Sequence, residues 1–192
     1  IDDVEVGRTA TRHLVELGHR RIAFVGGDPG DQLGFPVAPD RQSGYRSALG
    51  EAGLRVDPRL SVAAEFTVES GIRALEVLVE AADPCPTGVV AASDEIAMGL
   101  LYGARRLGIA VPDDLSVVGV DNHDMAHLFE LTTVAQPVRE EGRIAARMLI
   151  EQLTAPTGFV DEVMTVPVEL VVRSTTCAVR PVPRRSTEAP SG

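Results

Sequence analysis

The strongest constraint on the fold of this 192-residue chain is its alternation of short aliphatic runs with helix-like segments. A strand that is buried on both faces appears in the sequence as a continuous aliphatic run, and the helices between such strands cover the two faces of the sheet. Periodicity predicts a first helix over residues 3–17, and further helices follow each run. The pattern therefore predicts an α/β fold with a doubly wound, mostly parallel sheet, whose strands lie at 21–26, 60–65, 87–92, 115–120, 131–136 and 164–172.

Composition narrows the function classes. Hydrophobic residues make up 44% of the chain, which is enough to bury a core, and the formal net charge of −10 disfavours direct binding of nucleic acid. No run of apolar residues is long enough to predict a membrane span. Cys85 and Cys177 are far apart and lack metal-ligand spacing, so both are predicted to be free thiols.

Polar residues mark where three of the helices begin. Asp40, Thr67 and Ser93 each stand at a predicted helix N-terminus, where a side-chain oxygen can accept a backbone N–H. In the helix after Ser93, Gly99 and Gly103 leave a face of small residues that favours close contact with another helix. Pro137 is predicted to lie in the first turn of a helix that runs to residue 153.

Side chains at the ends of the predicted strands are the candidates for a binding site. In open parallel sheets, ligands bind beyond the carboxyl ends of the strands. The residues at those ends are Gly27, Asp28, Phe66, Ser93, Asp94, Asp121 and Asn122. They combine a ring, a hydroxyl, carboxylates and an amide, which suits hydrogen bonding and stacking of a polyhydroxylated or heterocyclic small molecule. They contain no nucleophile–base pair, so the sequence predicts binding and not catalysis.

Arg41 is the most informative single residue. It is predicted in the first turn of a helix, where the helix dipole disfavours a cation. Either a ligand in the cleft or a nearby acid such as Asp40 would compensate its charge. The strand-end residues could also have structural roles instead of contacting a ligand. Asp121 could cap the following turn, Asp94 could serve only the helix dipole, and Phe66 could belong to the core.

Two weaker patterns predict neither a metal nor a cofactor. His123 and His127 are four residues apart, but they follow a strand end in a predicted loop, and spacing fixes no third ligand. The glycines at 26–30 lack the spacing of a dinucleotide loop and the Lys-Ser/Thr of a P-loop. The sequence therefore predicts no metal site and no bound nucleotide.

Six segments, in order along the chain, carry a resemblance to a known family. Residues 13–27, 40–45, 93–99, 111–119, 131–136 and 169–175 resemble the effector-binding region of LacI/GalR-type bacterial transcription regulators, and the likeness runs from about residue 2 to residue 177. It implies a two-lobed fold like that of periplasmic sugar-binding proteins, with an effector between the lobes. It also implies a cytoplasmic homodimer that binds operator DNA through an N-terminal headpiece.

The resemblance divides the chain between lobes. It implies that residues 1–18 are a fragment of a first lobe and that 19–129 form the second, complete lobe. It further implies that 130–160 return to the first lobe and 161–177 to the second, before a disordered tail at 178–192. Since the first residue is Ile1 and not Met, and a predicted helix already begins at residue 3, we expect the chain to be part of a longer protein whose headpiece lies outside it.

The resemblance also assigns roles to residues. It implies that Arg41, Ser93 and Asp121 contact the effector, that Phe66 supplies a wall, and that Gln136 lies near the crossover between lobes. Asp94 and Asn122 complete the predicted effector site. The helix at 94–107 is expected at the dimer interface through Met98, Gly99, Tyr102 and Gly103.

Two departures and two alternatives accompany this interpretation. Ser93 stands where many relatives have Asn, and Asn122 stands where a second Asp is common, so the hydrogen-bonding pattern toward a sugar is altered. A periplasmic sugar-binding protein would share the fold but act outside the cytoplasm as a monomer. An enzyme on a doubly wound fold would need reactive groups that the predicted site lacks.

Overall fold

The computed structural model describes residues 1–27, 35–154 and 163–179. It confirms the predicted α/β class, with helices and strands alternating through most of the chain. The helices are α1 (Asp3–Glu16), α2 (Val37–Glu51), α3 (Val68–Ala81), α4 (Asp94–Leu107) and α5 (Val138–Thr154). The strands are β1 (Ile22–Val25), β2 (Ser61–Val62), β3 (Gly88–Ala91), β4 (Ser116–Asp121), β5 (Thr132–Ala135) and β6 (Glu169–Val171).

The strands form one six-stranded sheet in the order β2-β1-β3-β4-β5-β6. All neighbouring strands are parallel except β5 and β6, which pair antiparallel. The central strands β1 and β3 are buried along their whole length. Connections between parallel strands are right-handed, so the direction in which the chain moves along the sheet decides which face its helix covers. From β1 to β2 the chain moves one way, and from β2 through β3 to β4 it moves the other way. Helix α2 therefore covers one face of the sheet, and α3 and α4 cover the other. Helix α1 packs beside α2 and completes the first layer.

Each helix layer is held together by a pair of facing glycines. A Cβ at Gly7 would lie 1.9 Å from the carbonyl oxygen of Arg41, and one at Gly44 would lie 1.9 Å from that of Val4. On the other face, a Cβ at Gly71 or at Gly99 would come within 2.2 Å of the opposite backbone. The backbones of α1 and α2, and those of α3 and α4, therefore touch directly.

Two of the three predicted helix caps are confirmed. The hydroxyl of Thr67 accepts the N–H of Ser70, and that of Ser93 accepts the N–H of Ile96. The prediction that Asp40 caps α2 is wrong, because this helix begins at Val37 with Pro36 as its N-cap. Pro39 obscured the start in the sequence, but a proline is tolerated in the first turn, where its missing N–H has no intrahelical partner.

The edge strands are shorter than their sequence patterns predicted. Strand β2 comprises two residues, with one further bridge between Gly27 and Ala64, and β6 comprises three. Both lie at the edges of the sheet, where only one neighbour supplies hydrogen bonds.

The structure differs from the predicted division between lobes. Residues 1–18 were expected in another lobe, yet Val6, Ala10 and Leu14 of α1 are fully buried in the core beneath the sheet. Within the predicted returning segment 130–160, β5 is a strand of the same sheet. Only α5 leaves this body, since it has no buried residue and exposes Val138, Leu149, Ile150 and Leu153.

The end of the described chain is fastened beside α1. The ring of His19 lies between the hydroxyl of Thr87, at 2.9 Å, and the carbonyl of Cys177, at 3.1 Å. Val179 donates its N–H to the carbonyl of Leu17. The rest of the predicted disordered tail lies outside the described residues, as do residues 28–34, which include the candidate strand-end residue Asp28. Cys85 and Cys177 are both free thiols, as predicted. No helix in the described ranges has the length and apolar character needed to cross a bilayer.

Candidate functional site

The candidate site lies at the carboxyl ends of β1, β3 and β4. The chain leaves β1 toward one edge of the sheet and leaves β3 toward the other, so the crevice between them is the topological switch point at which α/β sheets bind ligands. Arg41 reaches this crevice from α2, and Asp121 ends β4 beside it. The predicted meeting of a guanidinium and a carboxylate from distant segments is therefore present in the structure.

Arg41 is buried, with 5% of its surface exposed, and its guanidinium is held by three groups. Nε donates to Oδ1 of Asp3 at 2.8 Å. Nη1 donates to the carbonyl oxygen of Ala92 and lies 3.7 Å from Oδ1 of Asp121. Of the two compensating partners considered for Arg41, the acid is thus present, but it is Asp3 in the first turn of α1 and not Asp40.

Asp121 is the more exposed of the two carboxylates around Arg41. Its side chain is 33% exposed, while Gln136 donates its amide N–H to Oδ1. Asp121 and Asn122 have φ values of 117° and 54°, in the left-handed region that residues other than glycine seldom adopt. Strained backbone at a strand end is typical of functional sites, where surrounding contacts hold it in place.

A polar groove of about 640 Å³ opens beside Asp121. Its walls come from the end of β4 and from the segment that joins β5 to α5. The residues that line it are Asp121, Asn122, His123, Asp124, Gln136, Pro137, Val138, Arg139 and Glu140. Three of the predicted effector-site residues, Asp121, Asn122 and Gln136, therefore face one groove, and Arg41 stands behind it.

Burial raises the pKa of the Asp121 carboxyl to about 7. The nearby guanidinium of Arg41 and the amide of Gln136 oppose this rise, whereas the negative charges of Asp94 and Glu95 add to it. A carboxyl of this kind can accept or donate a hydrogen bond near neutral pH.

Asp94 has a structural role instead. Its side chain is fully buried, accepts the hydroxyl of Thr133 at 2.7 Å and the N–H of His123 at 2.8 Å, and so ties α4 to β5 and to the loop after β4. Burial raises the pKa of Asp94 to about 6, although both hydrogen bonds favour the charged form. Its oxygens face partners inside the fold and not the groove.

Ser93 and Phe66 also lie apart from the groove. The hydroxyl of Ser93 caps α4, and only 2% of this residue is exposed. Phe66 is 43% exposed, so it is not the core residue that was considered as its alternative. Neither residue lines the groove beside Asp121, and their predicted contacts with an effector remain predictions.

Two functional contacts were missed in the sequence. One is Asp3, whose bond to Arg41 depends on the crossing of α1 over α2. The other is Arg173, which follows β6 and donates to Oδ1 of Asn122 at 2.8 Å and to the carbonyl of Leu131. Both partners lie far away along the chain, and no local spacing signals either pair.

The predicted dimer residues divide into two groups. Gly99 and Gly103 face α3 within the chain, where a Cβ at Gly99 would lie 2.1 Å from the carbonyl oxygen of Val68. Met98 is 5% exposed and Tyr102 is 53% exposed. The expectation that both glycines contact a second copy is therefore wrong, because α3 already occupies their face. Of the four, only Tyr102 offers a substantial surface.

The segment that contains His123 and His127 forms turns after β4. His123 accepts the N–H of Met125 through Nδ1, as a turn residue does. Across the ranges that the structure describes, no three His, Cys, Asp or Glu side chains gather in a way that could hold a metal ion.

Comparison with known proteins extends these observations. The sequence profile of a family described as periplasmic binding protein-like domain matches residues 11–176. The HTH-type transcriptional repressor CytR of Escherichia coli K12 is 37% identical over 182 residues, which cover 93% of this chain and 51% of CytR. The chain thus spans about half the length of the curated relatives it matches.

Solved structures give the same answer. A LacI family transcriptional regulator from Mycobacterium smegmatis superimposes with a TM-score of 0.81 and 38% identity, over 94% of this chain and 66% of that one. The complex of the transcriptional regulator CelR with cellobiose superimposes with a TM-score of 0.81 and 35% identity, over 91% of this chain and 52% of that one.

Proposed function

Because the chain belongs to the periplasmic binding protein-like family, as the effector-binding domain of LacI/GalR-type regulators, we propose that it senses a small molecule for a transcription regulator. The observation that carries this proposal is the convergence of Arg41, Asp121 and Gln136 beside one polar groove at the carboxyl ends of β4 and β5. The effector is proposed to be a sugar or a related polyhydroxylated metabolite.

The chemistry of the groove supports an uncharged, hydroxyl-rich ligand. Asp121 can accept hydrogen bonds from two adjacent hydroxyl groups, and the amides of Asn122 and Gln136 can both donate and accept. Charge-assisted hydrogen bonds of this kind contribute about 1.5–3 kcal/mol each, so a few of them suffice for recognition. The cellobiose bound in the CelR structure is a ligand of that chemistry.

The mechanism that we propose is a population shift. An effector held by Asp121 would also contact the segment that leads to α5, which is the helix that leaves the body of the sheet. It would thereby favour one arrangement of that segment over others. Moving a regulator from mostly operator-bound to mostly released requires roughly 5.5 kcal/mol of differential affinity between the two states. Operator binding itself is assigned to a headpiece outside this chain, in the cytoplasm.

Binding without turnover is the second part of the proposal. The described groove residues include no serine or cysteine beside a histidine, and the relatives that match are regulators. The proposal therefore favours a regulator over an enzyme, and the matches to repressors disfavour a transport-linked sugar-binding protein.

Dimerisation is proposed through the outer surface of α4. Tyr102 and Leu107 are about half exposed, and Phe129 lies close by with 38% of its surface exposed. A hollow of about 310 Å³ lies between the rings of Tyr102 and Phe129, and its lining includes Leu101, Arg105 and Val111. Exposed aromatic side chains around a hollow are typical of sites that pair with a second protein surface.

A panel of sugars, sugar phosphates and nucleosides, screened by thermal shift and titrated by calorimetry, tests the effector proposal. We expect a neutral sugar to raise the melting temperature and Asp121→Ala to lose at least about a hundredfold in affinity, since it removes a charge-assisted acceptor. Asp114→Ala is the matched control, because this exposed carboxylate lies at the opposite end of the sheet. Equal affinity in the wild-type protein and in Asp121→Ala would remove the basis for this site.

The oligomeric state tests the proposed interface. Light scattering of the wild-type chain is expected to give the mass of a dimer, and Tyr102→Arg the mass of a monomer. Val56→Arg places the same charge at another exposed apolar residue, away from α4, and should leave the dimer intact. A monomeric wild-type chain, or a dimer in Tyr102→Arg, would contradict the α4 interface.

A further inference from the structure

Asp3 offers an inference that deepens the proposed function and rests on it. This residue follows the N-cap of α1, in a helix that no sequence pattern connects with the groove. Its carboxylate nevertheless forms a 2.8 Å hydrogen bond to Nε of Arg41, the buried cation behind the groove. The glycine contact between Gly7 of α1 and the backbone of Arg41 fixes the two helices at this separation.

The consequence lies in the charge of the cluster. Among the described residues, two carboxylates contact Arg41, since Asp3 is bonded to Nε and Asp121 lies 3.7 Å from Nη1. With both ionised, one positive charge stands against two negative charges. Asp94 and Glu95, at the start of α4, add further negative potential at Asp121. The guanidinium is therefore more than compensated before any ligand arrives.

We propose that Asp3 is a positioning residue that divides the charge of Arg41 between itself and Asp121, and that it thereby restricts the groove to uncharged ligands. Without Asp3, the same guanidinium would form a one-to-one pair with Asp121 and could attract a phosphate or carboxylate group. With Asp3, an anionic ligand meets a net negative cluster and is disfavoured. Asp3 touches no ligand in this scheme and acts only through Arg41.

The first test follows the ionisation of Asp121 itself, in the 192-residue chain labelled with carboxyl ¹³C. In Asp3→Asn, we expect the pKa of Asp121 to fall, because more of the field of Arg41 then stabilises the ionised form. Asp3→Glu restores a carboxylate and should bring that pKa back toward the wild-type value. A thermal melt of each variant checks that it folds, and Asp3→Ser replaces Asp3→Asn if the latter does not.

Asp2→Asn is the matched control. Asp2 carries the same charge one residue earlier, but its carboxylate accepts the N–H of Glu5 and so caps α1. If only the overall charge of the helix N-terminus mattered, both variants would lower the pKa of Asp121 equally, and that result would overturn the proposal. The expected result is a fall in Asp3→Asn alone.

The second test probes the groove with inorganic phosphate, followed by NMR at the side-chain amide of Gln136. Removing one nearby negative charge should tighten phosphate binding in Asp3→Asn by roughly tenfold relative to the wild-type chain, with Asp2→Asn unchanged. Unchanged phosphate binding in Asp3→Asn would refute the role in selectivity. These outcomes are separable from the proposed function, because a loss of sugar binding in Asp121→Ala can persist while Asp3 has no effect.

Discussion

Asp94 and Asp121 are carboxylates at the carboxyl ends of the neighbouring strands β3 and β4. They look alike in the sequence but have different surroundings in the structure. Each stands at the end of a buried aliphatic run, and burial raises the pKa of both. Asp94 is fully buried and bonded to Thr133 and His123, whereas Asp121 is one-third exposed beside a polar groove. A position at the end of a strand is therefore not enough to predict a ligand contact. The deciding factor is whether the carboxylate oxygens already accept hydrogen bonds from groups inside the fold.

The largest expected effect is the difference between Asp94→Ala and Asp121→Ala in the free energy of unfolding. Asp94→Ala removes the acceptor for the Thr133 hydroxyl and the His123 N–H and leaves a buried gap, so we expect a loss of about 3 kcal/mol in the free energy of unfolding. Asp121→Ala should cost less than about 1 kcal/mol, because its side chain is partly solvated. Urea denaturation measures both, and a comparable loss in the two variants would erase the distinction.

A smaller effect tests how tightly Asp94 is enclosed. A Cβ at Gly119 would lie 2.1 Å from Oδ1 of Asp94 and 3.0 Å from Leu131. Because the carboxylate is fixed by its two donors, Gly119→Ala should lower the free energy of unfolding by about 2 kcal/mol.

Gly142→Ala is the control for this substitution. No atom lies within 4 Å of a Cβ built at Gly142, which is exposed within α5. Alanine there should stabilise the helix by roughly 0.5–1 kcal/mol. If Gly119→Ala were equally harmless, the carboxylate of Asp94 would have room to move and could turn toward a ligand.

The sequence predicted the sheet and two helix caps, because each follows from local pattern. That Arg41 and Asp121 lie near one another was implied by the family resemblance, which assigned both to one effector site. Local pattern predicted much less about the partners of the helices. It did not predict which helix faces Gly99. Small residues predict a close contact with another helix but do not predict which helix it is, and for Gly99 that helix is α3. The bond from Asp3 to Arg41 was hidden for the same reason, since it depends on where two helices cross.

The lobe boundary was misplaced for a related reason. Segments 1–18 and 130–135 contain ordinary helix and strand patterns that would suit either lobe. Their membership is set by contacts of Leu14 and Val134 with the core, far away along the chain. Helix α5 carries an equally clear amphipathic pattern, yet none of its residues is buried. Amphipathicity shows that a helix face will be covered and does not show by what.

The smallest expected effect is a difference in pH dependence between the two carboxylates. The folded-state pKa of Asp94 is about 6 and that of Asp121 about 7, both above the ordinary value of 3.8. A raised pKa means that the folded protein binds the proton more tightly than the unfolded chain does. Each group therefore contributes its full stabilisation below about pH 3.8, and this contribution is lost as pH rises through the folded-state pKa.

Asparagine variants isolate each contribution, because an amide does not titrate in this range. The difference in unfolding free energy between wild type and Asp94→Asn should decline with rising pH and level off just above pH 6, while that for Asp121→Asn should continue to decline beyond pH 7. Urea titrations across this range measure both curves. A bound neutral sugar should alter only the Asp121 curve, since Asp94 is fully buried and both of its oxygens are bonded inside the fold. An altered Asp94 curve would place both carboxylates in one site.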